Sequence, residues 1–230
     1  QEWRFIARAS STPSTIEAGG SSHRVLVLPE VPNRSALFEG LDVVLFATPA
    51  SVTRDWIPQV QAQGVAAVDI GGALFPAQPL LVPPVSIGPL EGLSAPAVLS
   101  TPSAPGVLIA SILAPFKDLG LYSATGTVFL SAGSAGRRGS AELSQQVISL
   151  FNGGEPERVV FPDDLAFDFK TQLGSAEHGW SAAELRLSGE LGAVLEIDPR
   201  RLRLTQIMTP VFAGVGVQLH IRTEHDIPMN

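Results

Sequence analysis

The chain of 230 residues is predicted to fold as an α/β domain over residues 1–104, followed by an α+β domain over residues 105–230. Three observations predict this. Apolar runs at Leu41–Ala47 and Val65–Ile70 are typical of buried parallel strands. A helical segment between them gives the strand–helix–strand order of a parallel sheet. From Leu121 onward, long segments with stretches of alternating polarity indicate a mixed, largely antiparallel sheet.

The first domain is predicted to open with two short strands. Residues 3–9 alternate in polarity and run into a polar loop, and residues 23–29 form the second strand. A helix is predicted over residues 52–63, ending at Gly64 in the position after the helix that favours glycine. Pro58 lies inside this segment, so we expect a kink or a break there.

The second domain is predicted to alternate helices with long strands. A proline-rich loop with a short strand at residues 80–85 precedes a helix from about Ser103 to Phe116, which is apolar on most sides and is expected to be deeply buried. The remaining predicted elements are strands at residues 121–132, 202–211 and 212–225 and helices at residues 140–151 and 182–195.

Composition excludes several functional classes. The chain carries 15 Lys and Arg against 22 Asp and Glu, a net charge of −7, which does not favour a nucleic-acid partner. No apolar run reaches the roughly 18–20 residues of a membrane-spanning helix, so we expect no membrane insertion. With no cysteine, thiolate metal sites and disulfides are excluded. His220 and His225 lie on either side of a predicted strand end and are expected to be solvated, so we predict no metal site. The lack of cysteine and of a signal-peptide core in residues 1–10 predicts a cytoplasmic location.

Four residues are weak candidates for cofactor contacts. Gly133 and Gly136 belong to the segment GSAGRRGS, where glycines, two arginines and a following helix could bind an anion. The alternative is a flexible turn in which Ser140 caps the helix. Thr48 follows a parallel strand, where such sheets bind ligands, although Pro49 replaces the usual glycine. Arg8 ends the first strand and could contact a phosphate.

Ser103 stands at the predicted start of the apolar helix, where a nucleophile is often found. It has no evident histidine partner, and as a helix N-cap it needs none. The acidic pair Asp163 and Asp164 and the basic pair Arg200 and Arg201 each lie beside a proline, so solvated turns are expected there.

Several stretches occur in an order that resembles one enzyme family. They include LFEGLDVVLFATPASVTRDWIPQVQAQGVAAVDIGGALFP, LLVPPVS, GSAGRRGSAEL, FPDDLAFDFKTQLG, GWSAAELRLSGEL and IMTPVFAGVGVQL. This order resembles aspartate-semialdehyde dehydrogenase, and especially its cysteine-poor Usg-type homologues. The resemblance implies a Rossmann-like nucleotide domain and a second domain through which the protein dimerises. It also implies a nicotinamide-dependent enzyme that forms a thioacyl intermediate and accepts phosphate.

The family's catalytic residues do not carry over to this chain. The nucleophilic cysteine falls at Ala104, the glutamine that orients the thioester near Leu130, the substrate-binding arginine at Met208 and the histidine base at Val215. Losing a nucleophile or a base typically lowers the rate by roughly 10⁴- to 10⁶-fold. The resemblance therefore predicts the fold, whereas the missing catalytic residues predict that the activity is lost.

The substrate and cofactor sites depart from the family in the same way. A substrate-helix glutamate survives as Glu190, but its lysine partner is Ala193 and a phosphate-binding arginine falls near Phe75. The family's glycine-rich fingerprint, with its first strand and phosphate loop, would precede Gln1. We therefore expect no cofactor, and NADP only if further N-terminal residues exist.

Three functions remain open at this stage. The first is a catalytically inactive homologue that acts as a scaffold or regulatory partner, a homodimer or heteromer joined through its second domain. The second is a diverged NAD(P)-dependent oxidoreductase that uses Ser103. The third is a binding module whose apolar cleft takes a small neutral ligand.

Overall fold

The computed structural model describes residues 3–8, 14–30, 36–83, 85–86, 88–90, 92, 94 and 96–228. The chain divides into two compact units, Gln1–Leu74 with Gly92–Ser100 and Phe75–Glu91 with Thr101–Asn230. The boundary therefore follows Ser100 rather than residue 104. Residues 75–91, which we expected in the first domain, belong to the second unit.

The first unit contains two small sheets of three strands each. The first has the order β1–β3–β2 and consists of β1 (Phe5–Ala7), β2 (Thr15–Ala18) and β3 (Ser21–Val27). Strands β1 and β3 are parallel, and Ala9 of the predicted first strand lies outside the described residues. The second has the order β4–β5–β6 and consists of β4 (Val43–Phe46), β5 (Ala66–Asp69) and β6 (Val98–Ser100), all parallel.

Helix α1 (Ala50–Gln61) connects β4 to β5. Pro58 lies inside it without splitting it, so the expected break is wrong. The missing hydrogen bond is the one that residue 58 would donate to the carbonyl of Arg54, and the helix continues past it to Gln61. Gly64 then takes a left-handed conformation (φ 76°) and returns the chain to β5.

Strand β4 is buried on one face only. Val43 is 46% and Leu45 56% exposed, whereas Phe46 joins a core with Trp56 and Val60 of α1. The prediction that the run Leu41–Ala47 forms a fully buried strand is therefore wrong. A continuous apolar run predicts that both faces of the strand are buried. In β4, the described residues pack against only one face.

The second unit is built on a mixed sheet of three strands in the order β10–β7–β11. Its strands are β7 (Leu121–Leu130), β10 (Leu202–Met208) and β11 (Val215–Thr223), and a short hairpin consists of β8 (Ala176–Glu177) and β9 (Trp180–Ser181). Strand β7 runs parallel to β10 and antiparallel to β11. The mixed sheet is as predicted, but only one of its two pairings is antiparallel.

Among the described residues, three α-helices complete the second unit: α2 (Ala104–Leu113), α3 (Gly136–Phe151) and α4 (Ala182–Leu195). The bounds of α4 are those predicted. Helix α3 begins at Gly136 rather than Ser140, with Ala135 as its N-cap, so the proposed cap by Ser140 is wrong. Helix α2 exposes Val107 and Leu108, so it is less deeply buried than its composition predicted.

Helix α4 is fixed at its first turn by a capping box. The Ser181 hydroxyl accepts a hydrogen bond from the Glu184 amide (3.3 Å), and the Glu184 carboxylate accepts one from the Ser181 amide (2.8 Å). Glu184 also accepts the Gln206 amide of β10 at 3.1 Å. These contacts set α4 against the sheet and so fix the position of Glu190 further along the helix. Within the part of the chain that is described, no helix is both long and apolar enough to cross a membrane.

Candidate functional site

Three of the predicted catalytic positions form one row across the mixed sheet. Leu130 of β7 lies directly opposite Met208 of β10 and Val215 of β11. Leu130 and Met208 are buried, and Val215 packs against the same core. The register therefore brings together the positions where the resemblance implies glutamine, arginine and histidine. This row holds no ionisable group and no side-chain amide.

The fourth predicted position, Ala104, is the first residue of α2 and lies exposed. Ser103 occupies the N-cap position, as predicted, but its side chain makes no capping hydrogen bond. Its amide (2.9 Å) and its hydroxyl both donate to Oε2 of Glu190. The expectation that the Ser103 side chain caps the helix is therefore wrong, because the hydroxyl turns to a carboxylate instead.

Glu190 is fully buried, and its carboxylate is held by three donors. Oε2 accepts the two Ser103 donors, and Oε1 accepts Nε of Arg186 at 2.7 Å. A Cβ at Gly106 would lie 2.8 Å from Oε2, so glycine allows the first turn of α2 to approach this close. Because a helix N-terminus attracts negative charge, Glu190 takes the position that an anionic ligand would otherwise occupy.

A cavity of about 600 Å³ lies in the second unit, and some of its lining residues follow Glu190 closely in the sequence. Phe75 and Ala193, where the resemblance implies phosphate-binding arginine and lysine, both line it. Its other lining residues include Leu80 and Val194, and the Lys117–Glu196 ion pair (2.9 Å) lies at an exposed part of the wall. The cavity therefore brings two of the predicted substitutions together, and its wall contains both polar and apolar groups.

The glycine segment after β7 packs closely on a neighbouring loop. The amide of Gly133 donates to the carbonyl of Phe212 (3.0 Å), and a Cβ at Gly133 would lie 2.6 Å from that oxygen. The Ser140 hydroxyl donates to the same carbonyl at 3.3 Å. The Gly133 amide is thus already engaged. Gly136 opens α3 at an exposed position with φ 79°, and its role as an anion contact stays a prediction.

In the first unit, Thr48 follows β4 and Asp69 is the last residue of the neighbouring parallel strand β5. The Thr48 and Thr53 hydroxyls share a hydrogen bond of 2.8 Å. Asp69 is buried and accepts the amides of Gly71 (3.0 Å) and Leu74 (2.9 Å) and the hydroxyl of Ser100 (2.9 Å). Sequence reasoning missed this carboxylate, although an aspartate between a buried strand and Gly71-Gly72 is a signal for such a turn.

The remaining predictions concern Arg8, the acidic pair and two of the histidines. Arg8 directly follows β1 at an exposed position. Arg158 lies 2.7 Å from Asp164, and this hydrogen bond lowers the pKa of the Asp164 carboxyl, so that residue is paired rather than simply solvated. His220 and His225 are exposed, and the described residues contain no cluster of three or more potential metal ligands.

The fold and the site together define a class of protein. Residues 1–91 match the sequence model of the semialdehyde dehydrogenase NAD binding domain. A solved structure titled as a probable aspartate-semialdehyde dehydrogenase from Pseudomonas aeruginosa superposes with a TM-score of 0.85 and is 29% identical. It covers 97% of this chain, which covers 66% of that one. The class is therefore that of the semialdehyde dehydrogenases.

Two further relatives narrow the class. A protein named USG-1 protein homolog from Azotobacter vinelandii is 34% identical over 193 residues, which are 83% of this chain and 57% of that protein. Aspartate semialdehyde dehydrogenase II from Vibrio cholerae superposes with a TM-score of 0.87 at 23% identity, over 99% of this chain and 67% of that one, which shows the fold alone. The chain belongs to the aspartate-semialdehyde dehydrogenase family and spans little more than half the length of the curated relatives it matches.

Proposed function

We propose that this chain belongs to a catalytically inactive member of its family that works as an oligomeric scaffold or regulatory partner. The observation that carries the proposal is the apolar row of Leu130, Met208 and Val215. Acyl transfer needs a nucleophile, a proton acceptor and groups that hold the substrate. An apolar row at three of those positions supplies none of them, and Ala104 supplies no nucleophile.

The Ser103–Glu190 contact supports inactivity rather than an alternative nucleophile. An activated serine is normally paired with a base that a third group orients. Here the carboxylate already accepts the Ser103 amide and Arg186, and it fills the helix N-terminus. A phosphorylated or carboxylated substrate would have to displace this internal anion, and the cavity beside Phe75 and Ala193 offers it few cations.

We also propose that the residues of this chain alone hold no nicotinamide dinucleotide. The connection from β4 to α1 is Ala47-Thr48-Pro49, which has no glycine to let a pyrophosphate approach the backbone. The helix has Pro49 as its N-cap, without a side-chain cap. The described residues of the first unit therefore do not fit this cofactor. Arg8, Thr48, Gly133 and Gly136 remain the candidates should a nucleotide bind.

Assays on the full-length gene product test the loss of activity. With aspartate semialdehyde, phosphate and NADP or NAD, we expect no turnover above the uncatalysed rate, and no change on Ser103→Ala. An active family enzyme measured in parallel shows that the substrates are competent. Turnover that Ser103→Ala abolishes would establish the diverged oxidoreductase instead.

The surface proposed for association is an apolar patch on the second unit. Phe151 (79% exposed) and Phe167 (67%) form it, and Val159 (76%) and Phe169 (61%) are exposed on the same segment of the chain. The rings of Phe151 and Phe167 meet edge to face at 5.9 Å. Phe167 has a positive φ of 65°, which is unfavourable for this residue type. Exposed apolar patches of this kind are typical of protein interfaces.

We propose a second copy of the chain as the occupant of this patch. Two ion pairs, Arg158–Asp164 and Lys170–Asp168, lie on the same segment of the chain as the patch residues, so these four charges balance one another. In sedimentation at micromolar concentration we expect a dimer, and we expect Phe151→Ser with Phe167→Ser to give a monomer. Val107→Ser with Leu108→Ser is the matched control and should stay dimeric. A monomeric wild type, or a dimeric patch variant, would contradict the assignment.

The cavity of about 600 Å³ favours a second candidate function, the binding of a small neutral molecule. The ring of Phe75, which lines the cavity, packs closely on helix α4. A Cβ added at Gly189 would lie 3.3 Å from this ring. A thermal shift with an uncharged ligand, absent in Ala193→Glu and absent with NADP, would support it. A screen of neutral metabolites without any shift would remove this candidate.

A further inference from the structure

The cavity of the second unit combines an apolar side with two opposite charges. Its volume of about 600 Å³ lies within the range of roughly 300–1,000 Å³ that is typical of ligand pockets. Leu80 and Val194 belong to the hydrophobic core, and Phe75 and Val85 pack against that core, so these four lining residues form the apolar side. None of the described lining residues belongs to the apolar row across the mixed sheet. The cavity is therefore separate from that row of predicted catalytic positions.

Lys117 and Glu196 are the charged residues among the described ones that line the cavity. Their ion pair joins Nζ to Oε2 at 2.9 Å and connects segments 79 positions apart. The Glu196 side chain is 81% and the Lys117 side chain 35% exposed, so the pair is not sealed by the fold. A ligand in the cavity therefore meets one positive and one negative group side by side.

Glu196 occupies a position that favours another residue type. It ends α4 with φ 59°, in the left-handed region where helices usually place glycine. It also places a negative charge at the C-terminal end of a helix, where the helix dipole favours a positive one. Residues held in such unfavourable conformations cluster at ligand sites. The position of this carboxylate is therefore better explained by binding than by stability.

The end of α4 favours an ammonium group in the ligand. Ala193 and Val194 belong to the last turn of this helix and line the cavity. The last carbonyls of a helix lack partners within it and carry partial negative charge. An ammonium group fits beside them and beside Glu196, and a carboxylate fits beside Lys117. Because Lys117 and Glu196 are in direct contact, the ligand must carry these two groups close together.

We propose that the cavity binds a small α-amino acid with an apolar side chain. The inference rests on the second candidate function, a site for a neutral small molecule, and names its ligand class. An α-amino acid carries its ammonium and carboxylate groups on one carbon atom, so it pairs with both members of the ion pair at once. A ligand with a single charge pairs with one member and lies beside the other as a like charge. The apolar side chain packs against Phe75 and Leu80.

Calorimetric titration of the full chain with L-phenylalanine and with L-leucine tests the ligand class. We expect binding with a Kd on the order of 1 mM or below, the affinity that ligands of this size reach. Phenethylamine lacks the carboxylate and hydrocinnamate lacks the ammonium group. Each should therefore bind at least about tenfold more weakly than L-phenylalanine.

Charge-removing variants test the location of the site. Glu196→Gln and Lys117→Gln should each weaken the binding of L-phenylalanine by about tenfold, because each removes one of the two charges. An exposed ion pair contributes little to stability, so we expect both variants to fold, which circular dichroism checks. The matched control is Asp198→Asn with Arg200→Gln. It removes another exposed ion pair, whose residues are not among the described ones that line the cavity, and should change the Kd by less than about twofold.

Glu196→Gly separates a binding role from a structural one. Glycine adopts the left-handed conformation without strain, so the Tm should not fall. Binding of L-phenylalanine should nevertheless weaken by about tenfold, because the carboxylate is removed. A marked fall in the Tm would show that the Glu196 side chain holds the fold, and would count against its role in binding.

The inference is overturned if neither amino acid binds, or if the control weakens binding as much as Glu196→Gln. It is also overturned if phenethylamine or hydrocinnamate binds as tightly as L-phenylalanine. N-acetyl-L-phenylalaninamide, which carries no charge, separates this inference from the candidate function on which it rests. If this compound binds and the amino acids do not, the cavity remains a site for a neutral molecule and only the ligand class is wrong. Dehydrogenase turnover would refute the proposed inactivity and leave the titrations unchanged.

Discussion

The second unit contains two regions that treat polar groups in opposite ways. On the helix side, Glu142, Glu184 and Glu190 are buried carboxylates, and each is held by several internal donors. At the end of the sheet, the row of Leu130, Met208 and Val215 contains only apolar side chains. Buried carboxylates are costly unless fully hydrogen-bonded, so their presence on the helices indicates a role in holding the fold.

This difference teaches that the polar groups which remain buried are those that build the structure. Glu142 fixes the segment after α3 by accepting the amides of Val159 (3.0 Å), Val160 and Phe161 (3.0 Å). That segment carries Phe167 of the proposed association patch. By contrast, no side chain of the apolar row bonds a neighbouring backbone amide in the described structure. Within this unit, the buried carboxylates therefore hold the fold, whereas the positions where the resemblance implies catalytic groups are apolar.

The largest effect should come from Glu142→Ala. It leaves three backbone amides without their acceptor in a partly buried segment, and we expect a loss of about 3–4 kcal/mol in the free energy of unfolding. Urea unfolding followed by circular dichroism measures it. Glu155→Ala, an exposed glutamate nearby, is the control and should cost less than about 0.5 kcal/mol. Equal losses in the two variants would mean that Glu142 does not organise this segment.

Glu190→Ala should follow at about 2–3 kcal/mol, because it leaves the Ser103 donors unpaired at the start of α2. Arg186→Ala removes one of the three donors to the Glu190 carboxylate and leaves the two Ser103 donors in place, so we expect a smaller loss. Thermal and urea unfolding of both variants compare the two losses. A larger effect for Arg186→Ala would show that the ion pair, rather than the contact with α2, is the important one.

Leu130→Gln tests the apolar row from the other direction. It restores the amide that the resemblance implies, but no neighbouring side chain of the row can pair with it, so we expect a loss of about 2 kcal/mol. Leu130→Met keeps the volume and polarity and should cost less than about 1.5 kcal/mol. If the two variants lose the same free energy of unfolding, a polar group near the row must pair with the new amide.

Much of the fold could be predicted from the sequence because it depends on local periodicity. The bounds of α4 and the core of β7 follow from apolar spacing and from their flanking residues. The errors came where a longer-range context decides. The apolar run of β4 does not reveal that one of its faces lies open, and the composition of α2 does not reveal that Val107 and Leu108 are exposed.

The candidate site could be predicted only in part. The resemblance located Leu130, Met208 and Val215, and the sheet register then brought them together. The pairing of Ser103 with Glu190 joins residues 87 positions apart, and no local pattern encodes it. The same holds for Arg201, expected as a solvated turn residue, which stacks on Tyr122 because two strands and a 3₁₀ turn converge.

The smallest effect should come from the exposed ion pair between Asp198 and Arg200. Hydrogen bonds from the Arg200 side chain, and then from its backbone amide, lower the pKa of the Asp198 carboxyl to about 2. In the unfolded chain this carboxyl titrates near pH 3.9, about the ordinary value for aspartate. A carboxyl with a lowered folded pKa stabilises the protein above its unfolded pKa, and this stabilisation disappears as the pH falls toward 2.

Asp198→Asn should therefore lower the Tm slightly at pH 5 and not at pH 2. Asp163→Asn, which removes the same charge from a residue without an ion pair in the described structure, should lower it less at pH 5. Equal shifts for the two variants at both pH values would mean that the pair contributes nothing beyond the net charge.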